Sequence, residues 1–291
     1  MAGHTAKRSE LGNKYLLELG GDYAGWLADL SGRAACGDIE TGPTGRLRSR
    51  RDELAATSDL AMPPAFFRWL LGSFSEPLRG EDGVIALVDA DGGRLSQMHF
   101  SGAVVTALTV PVLDVRRPGQ PKLALKFSPS ATRQSVPRGP AIAPAVLERR
   151  RPALTSEPQL EIDGLAEECS NIRRYEALTV AQAIAVGPAG ALTRARPLVA
   201  TPLIVTLPES KARGFILWAD RLSPGATSQR TATLTIGPPQ LGFSVVLHNL
   251  RIGKIRYEDT TLDGEGPARL RRDATIEMSA TRVSFCMLPR E

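Results

Sequence analysis

A chain of 291 residues at 42% hydrophobic content and a mean hydropathy of -0.11 can fill ordinary cores but is too polar for an integral membrane protein. No run approaches the roughly 18 apolar residues of a helical span. Lysine and arginine number 36 against 31 acidic residues, and the 5% of aromatics never interleave with a basic row. The mild basicity therefore reads as a solvated surface, which argues against nucleic acid as a partner.

The first nineteen residues are expected to be a polar tail, and "MAGHTAKRSELGNKY" has no signal-peptide core, so folding in the cytoplasm is expected. "YAGWLADLSGRAACGDIE" reads as an opening strand, a glycine turn and a return strand. "TGPTGRLRSRRDELAATSD" reads as a charged loop. "PPAFFRWLLGSF" places Phe67, Leu70, Leu71 and Phe74 on one helical stripe, with Pro63 and Pro64 in the first turn and Pro77 as a stop. "GVIALVDADGGRLSQMHF" then reads as a hairpin. "AVVTALTV" follows as a strand, and "KLALKF" alternates with Leu123, Leu125 and Phe127 inward.

Residues 136–157, rich in proline, alanine and arginine, are expected to be an extended, mobile linker that proteases cut first. Beyond it the order repeats. "LEIDGLAEECSNIRRYEALTV" again suggests two strands around a turn. "PESKARGFILWADRL" puts Ala212, Phe215, Ile216, Ala219 and Leu222 on a helical stripe. "RTATLTIGPPQLGFSVVL" reads as strand, turn, strand. In "NLRIGKIRYED" the apolar alternation slips at Gly253, which predicts a bulge, and "DATIEMSA" closes the series. The expected fold class is mainly β with a few helices (α+β). It has two tandem β-barrel or sandwich modules, each with one flanking helix: a tail (1–19), module 1 (20–135), the linker (136–157) and module 2 (158–291).

Site chemistry is sparse. The histidines are His4, His99 and His248. The last two fall at similar places in the repeats, but no cysteine or carboxylate stands at ligand spacing, so no metal is expected. "DADGG" opens like a calcium loop, yet Phe100 occupies the closing acidic position, which leaves a hairpin turn. The three cysteines, Cys36, Cys169 and Cys286, are far apart and odd in number, as expected of buried or neutral thiols rather than a disulfide framework. No phosphate-binding, zinc-protease or serine-hydrolase motif occurs. A non-catalytic role without cofactors is the expectation.

From "VTLPESKARGFILWADRL" through Asn249-Leu250-Arg251-Ile252-Gly253-Lys254-Ile255 to the stretch Arg272–Met278, the chain resembles the phage tail tube proteins. The form concerned is the two-module branch of contractile injection systems, such as R-type pyocins. "YAGWLADLSG", "AFFRWLLGSF" and the central strands of the first half resemble the same branch. The resemblance implies a structural component of the inner tube or of a ring at its end, such as a baseplate, tube-initiation or cap ring. The alternative is a soluble cargo adaptor or assembly chaperone with the same fold. It implies self-association as a hexamer or as a trimer of two-module chains, alongside tube, sheath, baseplate and spike proteins and a possible cargo protein. It also implies assembly in a bacterial cytoplasm and incorporation into a phage tail-like particle that could be released. Strand edges carry such assembly, and the residues expected there are Val104, Thr106, Leu108, Leu250, Ile252 and Ile255.

Overall fold

The computed structural model describes residues 14–32, 53–60, 62–115, 121–137, 142, 146, 159–186, 192–221, 229–236, 242–261 and 270–287. Strand outweighs helix by 61% to 14%, so the chain is mainly β, with a closed six-strand barrel and a half-barrel. It divides into two compact units: Met1–Val105 with Leu125–Leu154, and Thr106–Ala124 with Thr155–Glu291. That division is not a single cut at a linker, because residues 106–124 go with the second unit.

The first unit contains β1 (Lys14–Leu19), β2 (Asp22–Ser31), β3 (Leu54–Asp59), helix α1 (Pro64–Phe74), β4 (Glu81–Val88) and the start of β5 (Arg94–Val110). After β6 (Leu113–Asp114) in the second unit, the end of β7 (Lys122–Ser128) and β8 (Ala131–Ser135) complete it. Strand neighbours run β5-β4-β1-β2-β3-β7, and β7 pairs with β5 again to close the barrel. Tight turns make the neighbours possible. Leu19 pairs with Asp22 across Gly20-Gly21, whose φ angles of 58° and 88° suit a two-residue hairpin. In "DADGG" the Asp89 carboxylate accepts hydrogen bonds from the backbone of Asp91 and Gly93 at 2.9 and 2.7 Å, a hairpin turn as expected.

Two strands lie where none was expected. β1 occupies part of the presumed tail. Its adjacent Leu16 and Leu17 are both buried, because both faces of the strand are covered, and that erases the alternation a half-buried strand would show. β3 occupies the end of the presumed charged loop. Its inward residues Leu54, Ala56 and Ser58 are mostly small, so the hydrophobic signal is weak although the burial is complete.

Helix α1 begins at the expected proline and buries Phe66, Phe67, Trp69, Leu70 and Phe74. Trp69 stacks edge-on against Phe127 at 5.3 Å, and its indole Nε1 donates to the Ala103 carbonyl at 2.8 Å. The presumed linker is partly structural. Ile142 is buried with Leu16, Trp26, Ala86 and Val88, and its N–H donates to the Gly92 carbonyl at 3.0 Å. Trp26 Nε1 donates to the Val146 carbonyl at 3.2 Å. Val146 is helical, against the expectation of an extended linker, and the remainder of 136–157, apart from Val136 and Pro137, lies outside the described residues.

The second unit contains β9 (Gln159–Ile162), α2 (Ala166–Ser170), β10 (Arg174–Tyr175), β11 (Leu178–Ala181), β12 (Ile184–Val186), β13 (Leu192–Arg194) and β14 (Val199–Ala200). It continues with β15 (Leu203–Pro208), α3 (Arg213–Asp220), β16 (Arg230–Ile236), β17 (Phe243–Thr261), β18 (Leu270–Ser279) and β19 (Arg282–Met287). Its main sheet runs β6-β10-β15-β18-β17-β16-β9, with β19 also on β17. By order and pairing, β9, β15, α3, β16, β17 and β18–β19 match β1, β3, α1, β4, β5 and β7–β8. The aromatic pair of each helix matches as well. Phe66–Trp69 and Phe215–Trp218 have ring centroids 6.1 and 6.5 Å apart, so Phe66 rather than Phe67 is the counterpart of Phe215.

The match fails at β2. Where a return strand was expected, "AEECS" forms α2, and no described strand bridges β9 to β15, which leaves a half-barrel. Its run of Ala and Glu favours a helix, with Glu167 and Glu168 near the positive end of the dipole. Glu168 also accepts a hydrogen bond from the Gly214 N–H at 2.8 Å, which ties α2 to the start of α3. Arg230 donates to the Asp163 carbonyl and stacks over Trp218 at 5.1 Å. The bulge expected at Gly253 is present: the β17–β18 register shifts between Ile252 and Lys254.

Candidate assembly surface

The two long strands share a distinctive bend. Gly102 in β5 and Asn249 in β17 are left-handed at φ 54° and 53°. Opposite each bend the neighbouring strand also breaks. Ser130 N–H donates to the Ser101 carbonyl at 2.8 Å, and Thr281 N–H to the His248 carbonyl at 3.2 Å. Asn249 is the one non-glycine with positive φ among the described residues, as fits the tolerance of asparagine for this region. Its amide donates to Thr281 Oγ1 at 3.0 Å.

The bends also place the histidines. His99 Nε2 lies 3.1 Å from Ser135 Oγ, and His248 Nε2 lies 2.8 Å from Ser284 Oγ, each a diagonal pair across a ladder. His99 stands three residues before its bend and His248 one, so they differ by one pleat repeat and are not equivalent. The His248 pKa is lowered, first by burial and then by the nearby Arg282 guanidinium. No cluster of three or more His, Cys, Asp or Glu side chains suited to a metal occurs among the described residues. Cys169 is buried, which pushes its thiol pKa up to about 11, Cys286 is exposed, and Cys36 lies outside the described residues.

Beyond the bends the strands diverge in their neighbours. Along the last residues of β5, β11 is paired antiparallel, with Leu178 opposite Val110 and Val180 opposite Leu108. Gln182 N–H donates to the Thr106 carbonyl at 2.8 Å, and the Thr109 and Thr179 hydroxyls meet at 2.8 Å. Leu108 and Val110 are consequently buried. β17 has β18 on one side from Arg251 to Thr261. On its other side the last pair is Leu250 with Arg230 of β16. Past Leu250, no strand among the described residues pairs with that edge.

Counted from the bends, Ile255 and Tyr257 correspond to Leu108 and Val110. Ile255 is only half-buried, and Tyr257 is 39% exposed against 3% for Val110. Both face the same side as the buried Ile276 and Ala274 of β18. The opposite face of this sheet is wet. Lys254 lies across from Glu277, Arg256 reaches Glu277 at 3.5 Å, and the Thr206 and Thr275 hydroxyls meet at 3.2 Å.

The six residues expected at edges therefore occupy three settings. Val104 and Leu250 are fully buried. Thr106 and Leu108 lie beside the strand pairing supplied by β11 and Gln182. Ile252 and Ile255 border the open edge of β17. The expected return strand reached "ALTV", part of β11, but sequence reasoning overlooked its pairing with β5, and it overlooked the exposure of Tyr257, beside which no described strand pairs on that edge. No family model matches the chain, and no curated protein sequence matches it. No helix among the described residues is long and apolar enough to cross a membrane.

Proposed function

We propose that the chain is a structural subunit of the inner tube, or of a ring at its end, in a phage-tail-like contractile injection system. The observation that carries this reading is the repeated long, bent strand, whose outer edge is covered by another strand in one copy and, in the other, is met past Leu250 by no strand among the described residues. A subunit built to join copies edge to edge needs one such vacancy, since open edges pair unless something blocks them. The wet, hydroxyl- and charge-bearing face of the β15–β18–β17 sheet suits a wall that lines an aqueous channel. Three chains of two modules each would then stand where six single modules would, with sheath, baseplate and spike proteins as neighbours. The role is architectural rather than catalytic, with assembly in a bacterial cytoplasm and incorporation into the particle.

Electron microscopy of the purified full chain tests the proposal. Closed rings or stacked tubes with a central channel are expected. A monomer at every concentration, which also fails to join sheath and baseplate proteins produced with it, would favour the adaptor reading.

A further inference from the structure

The two ladders that hold the histidines hold the same three side chains. His99 of β5 lies directly opposite Arg133 of β8, and His248 of β17 directly opposite Arg282 of β19. Two residues beyond each arginine, on the same face, stands the serine whose hydroxyl meets the ring: Ser135 at 3.1 Å and Ser284 at 2.8 Å. Each unit thus presents an imidazole, a guanidinium and a hydroxyl together, and both Arg133 and Arg282 are exposed.

A shared position in the repeat does not account for this. Counted from the bends at Gly102 and Asn249, His248 is two residues nearer than His99. Counted from Ser130 and Thr281, where the neighbouring strands break, Arg282 and Ser284 are likewise two residues nearer than Arg133 and Ser135. All three residue types are displaced together, so the cluster recurs although its place in the strands does not. A guanidinium across from an imidazole disfavours the protonated ring, and the lowered pKa of His248 owes part of its shift to Arg282. Recurrence of an arrangement that packing alone does not favour indicates a ligand chemistry common to both units.

We propose that each cluster binds a tetrahedral oxyanion of the phosphate class, held by the guanidinium and the serine hydroxyl, with the histidine ring orienting that hydroxyl. The guanidinium offers a planar fork of N–H donors that matches such an anion. Arginine and serine stand roughly 7 Å apart along the strand, which leaves room for one oxyanion between their tips. The ligand favours the tautomer in which Nε2–H donates to Oγ, because the serine proton is then free to donate to the ligand. Along the row of His99 the first carboxylate is Glu18, two strands away beyond Val84, where Arg94 holds it at 2.7 Å. It therefore does not compete for Arg133. The site stands whether or not the chain builds a tube.

Equilibrium dialysis of the full chain against radiolabelled inorganic phosphate, at constant ionic strength in chloride, tests the proposal. Two saturable sites per chain are expected. Arg133→Gln and Arg282→Gln should each leave one site and the double variant none, with unchanged far-ultraviolet spectra. Ser135→Ala and Ser284→Ala should each weaken one site at least about threefold. If an arginine variant fails to fold, the serine variant of that ladder decides in its place. Arg196→Gln, at an exposed position outside both ladders, should keep two sites. Competition by unlabelled glycerol phosphate at the strength of inorganic phosphate identifies a phosphate head group as the ligand, and its failure identifies the free ion; both support the site. Uptake that does not saturate, or an equal loss in Arg196→Gln, shows a diffuse positive surface and overturns the proposal. Retention of both sites in the folded double variant overturns it as well.

Discussion

Substitution at the two bends tests whether the repeats share one backbone device. Replacing glycine by alanine where the conformation is compatible stabilises a protein by about 0.4–1 kcal/mol, because the unfolded chain loses freedom. At Gly102 the φ of 54° places an alanine in the left-handed region, at a cost of about 1–2 kcal/mol. A Cβ there would also stand 2.8 Å from Ser130 Oγ, which donates to the Ser101 carbonyl at 2.7 Å, so displacing that exposed hydroxyl adds to the backbone cost. Gly102→Ala should therefore destabilise the first unit by about 1 kcal/mol net. Asn249→Gly should be milder: it relieves the left-handed strain and loses one exposed hydrogen bond to Thr281, which leaves a change within about 0.5 kcal/mol. Asn249→Ala keeps the strain and loses the bond, and should rank below Asn249→Gly. Urea unfolding followed by tryptophan fluorescence and circular dichroism measures all three. With a slope of about 1–3 kcal/mol/M, the Gly102→Ala midpoint should fall by roughly 0.3–1 M. A stabilised Gly102→Ala, or Asn249→Gly less stable than Asn249→Ala, would refute the shared bend.

Two further outcomes follow from the site geometry. Trp69→Phe keeps the aromatic packing but removes the indole donor from the buried Ala103 carbonyl; a loss of about 1–3 kcal/mol is expected in the same urea assay. For His248 the folded pKa lies below the ordinary 6.5, so the unfolded state binds the proton more readily. Its contribution is thus present above pH 6.5 and is lost as the pH falls through the folded pKa; the decline of stability from neutral pH toward pH 5 should be shallower in His248→Gln.

The elements that repeat with a clear period were legible in the residues themselves. α1 and its proline start, the "DADGG" turn, the alternating "KLALKF" and "DATIEMSA" strands and the Gly253 bulge all follow from local patterns, because side-chain period and turn chemistry are properties of a few neighbouring residues. β1 and β3 were not, since burial on both faces or small inward residues hide the alternation that marks a strand. Part of the proline-rich segment was misread for a related reason: Ile142 and Val146 are ordered by distant partners, Gly92 and Trp26, that no local pattern reveals.

The tertiary structure alone decided which strands have neighbours. β5 and β17 follow one another in outline, and nothing in "TALTV" or "RIGKIRYED" tells that one edge is covered and the other meets no described strand. Pairing joins residues far apart in the chain, as with Val180 and Leu108, so the lack of a described partner beside Ile255 becomes visible only when the other described strands have been placed. The half-barrel arises in the same way: helix-forming "AEECS" is a local fact, but its consequence, an unbridged gap between β9 and β15, belongs to the sheet as a whole.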